Sequence, residues 1–123
     1  MTSILIVDDS ATARHSLRAI LEKEGYSCTE AVDGNEGVAK AENNDFELII
    51  ADYHMPFLDG VEMVNKLRKG PRHEKTPVIF VTTEGNPSIA QKGKDVGAQA
   101  WVIKPYEVPP LVDAVKRAIG AGA

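Results

Sequence analysis

The chain has 123 residues, 43% of them hydrophobic and 26% charged, with a net charge of −4. That length suits one domain with a core of its own, so folding requires neither disulfides nor a structural metal. The acidic balance gives no electrostatic basis for nucleic-acid binding, and a single cysteine, Cys28, excludes an internal disulfide.

The first element is the apolar run Ile4–Val7, strand-like, too short for a secretory signal and without its basic flank. No later stretch is long enough to span a bilayer, so the expected setting is the reducing cytoplasm. Ser10–Glu24 has helical period, with Ala13, Leu17, Ile20 and Leu21 on one face and Gly25 as its C-terminal cap. Tyr26–Ala31 is a weaker strand, and Cys28 within it reads as a small buried hydrophobe. Asp33–Glu36 and Asp59–Glu62 resemble capping boxes opening the second and third helices, with Asp replacing Ser or Thr. Phe46–Ala51, Val78–Val81 and Trp101–Ile103 supply the remaining strands. Gly97-Ala98 closes the fourth helix, Pro109-Pro110 suit the first turn of the fifth, and Ala121–Ala123 reads as a frayed tail.

Five strands alternating with five helices define an α/β protein, a doubly wound parallel sheet built from right-handed βαβ units. The apolar runs are nearly continuous, as parallel strands covered on both faces require. No repeat or second domain interrupts residues 1–123. The basic cluster Lys66, Arg68, Lys69, Arg72 and Lys75 reads as a solvated helix end, with His73 a solvated member of that loop and His15 a surface or half-buried helix residue.

Chemistry resides where the strands end. Asp8-Asp9 follow the first strand, Asp52 the third, Thr82-Thr83 the fourth and Lys104-Pro105 the fifth. A parallel sheet brings these ends to one edge, where such folds bind ligands. Each group alone has an ordinary reading as a helix start, a strand exit or a turn; their joint placement does not. Three carboxylates together repel, by roughly 4 kcal/mol per pair about 4 Å apart at an effective dielectric near 20. A hard divalent cation such as Mg²⁺ relieves that repulsion and lets an aspartate approach a phosphoryl group. Lys104 supplies fixed positive charge and Thr82 a donor for the oxygens of the transition state. The edge is suited to phosphoryl transfer.

These residues also carry a family resemblance. Ile4–Ser10, Ile49–Asp52 with Met55-Pro56 and Asp59-Gly60, Val81-Thr82 and Lys104-Pro105 resemble the receiver domain of two-component response regulators, most nearly the single-domain chemotaxis (CheY-like) type. The resemblance implies a flavodoxin-like sheet in the order 2-1-3-4-5 with five helices. It implies Asp52 as phosphoacceptor and Mg²⁺ held by Asp9, Asp52 and the carbonyl of His54, with Asp8 acting through a metal-bound water. Thr82 and Lys104 would grip the phosphoryl oxygens. The implied donor is a phosphohistidine on a sensor histidine kinase, with small acyl phosphates able to substitute. The implied output is a changed affinity of the face formed by helix four, strand five and helix five for a downstream effector protein. Such a protein promotes its own phosphorylation and dephosphorylation but is not a conventional enzyme. A monomer that binds neither nucleic acid nor membrane is expected. Trp101 stands where the family commonly has Tyr or Phe, Thr83 where it has a small residue, and His54 at a variable place that often tunes phosphoryl lifetime.

Other readings fit less of the pattern. An aspartate-nucleophile phosphatase wants a second aspartate two residues beyond the first, and His54 is there. A flavodoxin-like cofactor carrier wants hydroxyls and amides in its first loop, where Asp8-Asp9 repel phosphate. A degenerate receiver that only binds partners would lack an aspartate or the lysine, and none is missing.

Overall fold

The computed structural model describes the backbone of residues 1–122 and the side chains of residues 1–120. The chain alternates β1 (Ser3–Val7), α1 (Ala11–Lys23), β2 (Ser27–Ala31), α2 (Gly34–Asn43), β3 (Leu48–Ala51), α3 (Gly60–Arg68), β4 (Val78–Thr82), α4 (Pro87–Asp95), β5 (Ala100–Ile103) and α5 (Val108–Gly122). All neighbouring strands are parallel, in the order β2-β1-β3-β4-β5. Val7 lies level with Ala31 and Ala51, Ala51 with Phe80 and Thr82 with Ile103, so β1, β2 and β3 end level while β4 and β5 run about two residues further.

The strand period of two divides the sheet residues between two cores. Leu5, Val7, Ile49, Ala51 and Phe80 pack with Val38, Met63, Val64 and Leu67 from α2 and α3. Ile4, Ile6, Leu48, Ile50, Ile79 and Val81 pack with Leu17 and Leu21 of α1 and Leu111 and Val115 of α5. Covering both faces explains the uninterrupted apolar runs, and each fully buried side chain contributes about 1.5–3 kcal/mol. The edges differ: β5 is half-buried up to the exposed Ile103, and β2 buries Cys28 and Ala31 but leaves Thr29 and Glu30 half-buried. Cys28 is buried there, and burial pushes its thiol up to about 11. Among the described residues no helix is long and apolar enough to cross a membrane.

Helix ends follow local chemistry. Ser10, Asp33, Asp59 and Asn86 each accept a main-chain N–H at a helix start, worth about 1 kcal/mol apiece. Asp59 and Glu62 form the complete reciprocal box, whereas Glu36 reaches past Asp33 to the N–H of Val32. Gly25 and Gly97 take φ of 92° and 88° just beyond their helices, where a side chain would be strained. Phe57 takes φ of 73° without being glycine, in the loop between β3 and α3.

Three expectations are corrected. His73 is not solvated: it is 2% exposed, and Nε2 lies 2.8 Å from the oxygen of Ala41 and 2.9 Å from that of Asn44. Carbonyls only accept, so Nε2 carries the hydrogen, while Nδ1 meets the Thr76 hydroxyl at 2.8 Å. Arg68 is likewise no solvated helix end. Its guanidinium donates to the oxygens of Val96, His73 and Thr76, and burial pushes its pKa down. Together these two side chains tie the loops that precede β3, β4 and β5. Finally, the backbone of α5 continues through Gly122, so the frayed tail expected at Ala121 is helix; Ala123 lies outside the described residues.

Candidate functional site

Asp8, Asp52 and Lys104, each just past the end of its strand, are held by a main-chain hydrogen bond to a neighbouring strand. The N–H of Asp8 donates to Ala31, that of Asp52 to Val7 and that of Lys104 to Thr82, at 3.1, 3.0 and 2.8 Å. The sheet thus sets the three side chains side by side. Lys104 Nζ donates to Asp8 Oδ2 at 2.8 Å and to Asp52 Oδ2 at 3.0 Å. The second oxygen of each carboxylate takes a main-chain N–H, Asp8 Oδ1 from Ser10 and Asp52 Oδ1 from His54. Asp8 and Asp52 are buried.

Burial of the Lys104 ammonium works against its charge, but the hydrogen bonds to Asp8 and Asp52 outweigh this and raise its pKa above the ordinary range. One cation between two carboxylates leaves one negative charge uncompensated, in a place where charges interact more strongly than in water. A cavity of ≈ 400 Å³ opens against Asp8, Asp52 and Lys104, walled by α1 and Tyr106.

Asp9 is placed differently from the expectation of three clustered carboxylates. It is exposed, and lines an adjoining open depression with Tyr53, His54, Met55, Pro56 and Asp59. Among the described residues no three carboxylate, imidazole or thiol groups are gathered as a ready-made metal cage. The available donors are hard oxygens around a residual negative charge, which fits Mg²⁺ rather than a metal preferring nitrogen or sulfur.

Thr82 is fully buried, and its hydroxyl oxygen accepts the N–H of Glu84 at 3.2 Å. The Glu84 side chain meets His54 Nε2 at 2.8 Å, joining the loops after β4 and β3 over the site's rim. Bonds from the Asn86 N–H and then from His54 hold the Glu84 carboxyl below the usual range. Trp101 is turned inward: its Nε1–H donates to the main-chain oxygen of Glu84 at 2.8 Å, and its ring lies 5.1 Å from that of Phe80. Gly93 makes that seat, since a Cβ there would stand 2.7 Å from the indole ring.

One supporting residue, Arg14, escaped the reading of the sequence, and Gly60 entered it only as part of a motif. Arg14 is buried, and donates from Nη1 to the main-chain oxygen of Asp8 at 2.7 Å and from Nε to Glu30 at 2.9 Å. Its spacing from Leu17 and Leu21, on the buried face of α1, was the available signal. Gly60 lies so close to the main-chain oxygen of Asp52 that no side chain fits.

Comparison with known proteins agrees with this geometry. Residues 4–116 match the model of the response regulator receiver domain. The structure of the chemotaxis protein CheY4 of Vibrio cholerae superposes with a TM-score of 0.90 at 37% identity, covering 96% of this chain and 98% of that one. The chemotaxis protein CheV3 of Helicobacter pylori is 39% identical over 98% of this chain, which spans 42% of CheV3. The first curated relatives are all longer, this chain spanning from 15% to 47% of their lengths. A receiver domain of sensor histidine kinase PA1611 from Pseudomonas aeruginosa, with magnesium in its active-site cleft, has a TM-score of 0.89 at 26% identity, covering 97% of this chain and 98% of that one. The chain belongs to the response regulator receiver domain family. It is therefore a phosphoryl-accepting signalling domain of the CheY-like fold.

Proposed function

We propose that Asp52 accepts a phosphoryl group from the phosphohistidine of a sensor histidine kinase in the cytoplasm. The observation that carries this reading is the shared ammonium: Lys104 touches both Asp8 and Asp52, and the trio retains a negative charge that calls for one more cation. An oxygen of Asp52 attacks phosphorus, the P–N bond breaks as the new P–O bond forms, and the donor imidazole keeps the electron pair and takes a proton from water. Lys104 faces the charge spread over the transferred oxygens. Asp8, Asp9, Asp52 and the His54 carbonyl are the groups to hold Mg²⁺, which when bound supplies neutralising charge to carboxylate and phosphoryl oxygens alike.

Output follows at the face of α4, β5 and α5, where Trp101 ties β5 to the loop after Thr82. A change in the Thr82–Glu84 segment reaches that face without a ligand of its own, altering affinity for a downstream effector protein. The domain acts as a monomer, with neither nucleic acid nor membrane as partner. Incubation with Mg²⁺ and acetyl phosphate, followed by intact mass, tests the chemistry. One added phosphoryl group, absent from Asp52→Asn and from samples in EDTA, is the expected result; labelling that persists in either defeats the proposal.

A further inference from the structure

Phe57 sits at the crest of the loop between β3 and α3 in a conformation that disfavours its own side chain. Its φ is 73°, and the N–H of Leu58 donates to the oxygen of Pro56 at 2.9 Å, closing a γ-turn of the rarer, strained hand. No packing repays this within the protein, because Phe57 is 79% exposed. The turn is fixed by its surroundings. Leu58 backs onto Gly34, where a Cβ would stand 2.7 Å from the Leu58 Cβ. The N–H of Gly60 donates to Tyr53 at 2.8 Å, and the Asp59–Glu62 box locks the start of α3. A rigid frame thus presents an aromatic ring to solvent, and strain over-determined in this way is characteristic of ligand clamps.

Position identifies what meets the ring. Asp52 lies buried beneath the rim, and Met55 and Pro56, just ahead of Phe57, line the depression beside it with Asp9, His54 and Asp59. A protein that brings a phosphohistidine to Asp52 must lay its surface over this loop. We propose that Phe57 is the aromatic anchor on which the phosphoryl-donor protein docks, seated in an apolar socket edged by lysine or arginine. The basic edge complements Asp9, Asp59 and Glu62 along the same loops. This rests on the phosphoacceptor reading. The step it serves is the one given above, P–N cleavage with P–O formation at Asp52, and Phe57 takes no part in the bond changes. A small donor such as acetyl phosphate has no surface to dock.

Phe57→Gly and Phe57→Asn both suit the backbone, so each removes the ring without unfolding the loop. The probes are acetyl phosphate and the phosphorylated histidine domains of the sensor kinases from the same source, taken one by one. With the domain that transfers fastest to wild type, both variants should lose at least about tenfold in transfer at subsaturating concentration, as loss of an aromatic anchor does. Their labelling by acetyl phosphate should stay within about twofold of wild type, on the same ground. Equal losses with both donors, or none with the protein donor, overturn the proposal. So does labelling of wild type by acetyl phosphate with no transfer from any kinase domain. A concentration-dependent dimer lost in Phe57→Gly would assign the ring to a second copy and overturn it too. Failure of wild type to label with acetyl phosphate sinks the phosphoacceptor reading itself.

Discussion

Arg14 Nη1 donates to the main-chain oxygen of Asp8 across 2.7 Å, so a buried guanidinium on α1 fixes the peptide that joins the two acids Asp8 and Asp9. Arg14→Met should cost about 1.5–3 kcal/mol, the range for hydrogen bonds to charged groups, and weaken Mg²⁺ binding as well. Arg14→Lys should recover only part, since an ammonium cannot fork between Asp8 and Glu30. Urea unfolding and Mg²⁺ titration by tryptophan emission check this. Mg²⁺ affinity untouched in Arg14→Met would reduce the residue to scaffolding.

Glu30 gives the same network a pH dependence. Burial raises its pKa, but hydrogen bonds from Arg18 and Arg14 outweigh burial and leave the folded value below the ordinary one. A depressed carboxyl stabilises the fold above its unfolded pKa of about 4.3, and that contribution is lost as pH falls through the lower folded value. Glu30→Gln should therefore be less stable than wild type at pH 7, with the gap closing in acid below about pH 4. A gap of constant size across that range would contradict the sign.

Lys104→Ala should retain Mg²⁺ binding, because it removes a competing cation from Asp8 and Asp52. Transfer should fall about 10²–10³-fold, as when a preorganised charge stabiliser is deleted. Time-resolved intact mass with acetyl phosphate measures it, and a loss below tenfold would deny Lys104 that role.

The pair His54–Glu84 joins the loops after β3 and β4, and the His54 N–H donates to Asp52 Oδ1, so the pair should hinder a water that approaches the aspartyl phosphate. His54→Ala and Glu84→Gln should each shorten the lifetime of the aspartyl phosphate, and the double variant should match the singles rather than their product. Dephosphorylation rates after donor removal decide it; fully multiplicative effects would show that the two act separately.

Gly93→Ala should cost about 1–3 kcal/mol by overpacking, because its new methyl meets the indole of Trp101. The ring should be driven outward, breaking the bond to Glu84 and raising acrylamide quenching of the single tryptophan. Quenching equal to that of wild type would show that α4 shifts instead.

Much of this was legible because strand ends are local signals. Runs such as Ile4–Val7 stop abruptly at acids, and parallel topology alone carries Asp8, Asp52 and Lys104 to one edge. The inward seat of Trp101 was not legible, since it depends on a missing Cβ at Gly93 on another element. His73 was misread for a related reason. A histidine among lysines and arginines looks solvated, and its partners are main-chain oxygens at Ala41 and Asn44, far away in the chain. Adjacency in the chain did not reveal that Asp8 is buried beside Lys104 while Asp9 is exposed at the depression lined by His54.

The knot made by His73 and Arg68 has a consequence for where the domain can breathe. It cross-links three loops at the amino ends of the strands through carbonyl oxygens that water would otherwise claim. The opposite end is joined over its rim by side chains that are partly open to solvent, such as His54 and Glu84. The sheet is therefore clamped by buried groups at its amino end and held at its carboxyl end by side chains nearer to solvent. Amide exchange should be slow around Thr76–Val78 and in the braced turn at Leu58–Gly60, and faster through Thr83–Gly85, so that a charge arriving at Asp52 moves chiefly the loop after β4.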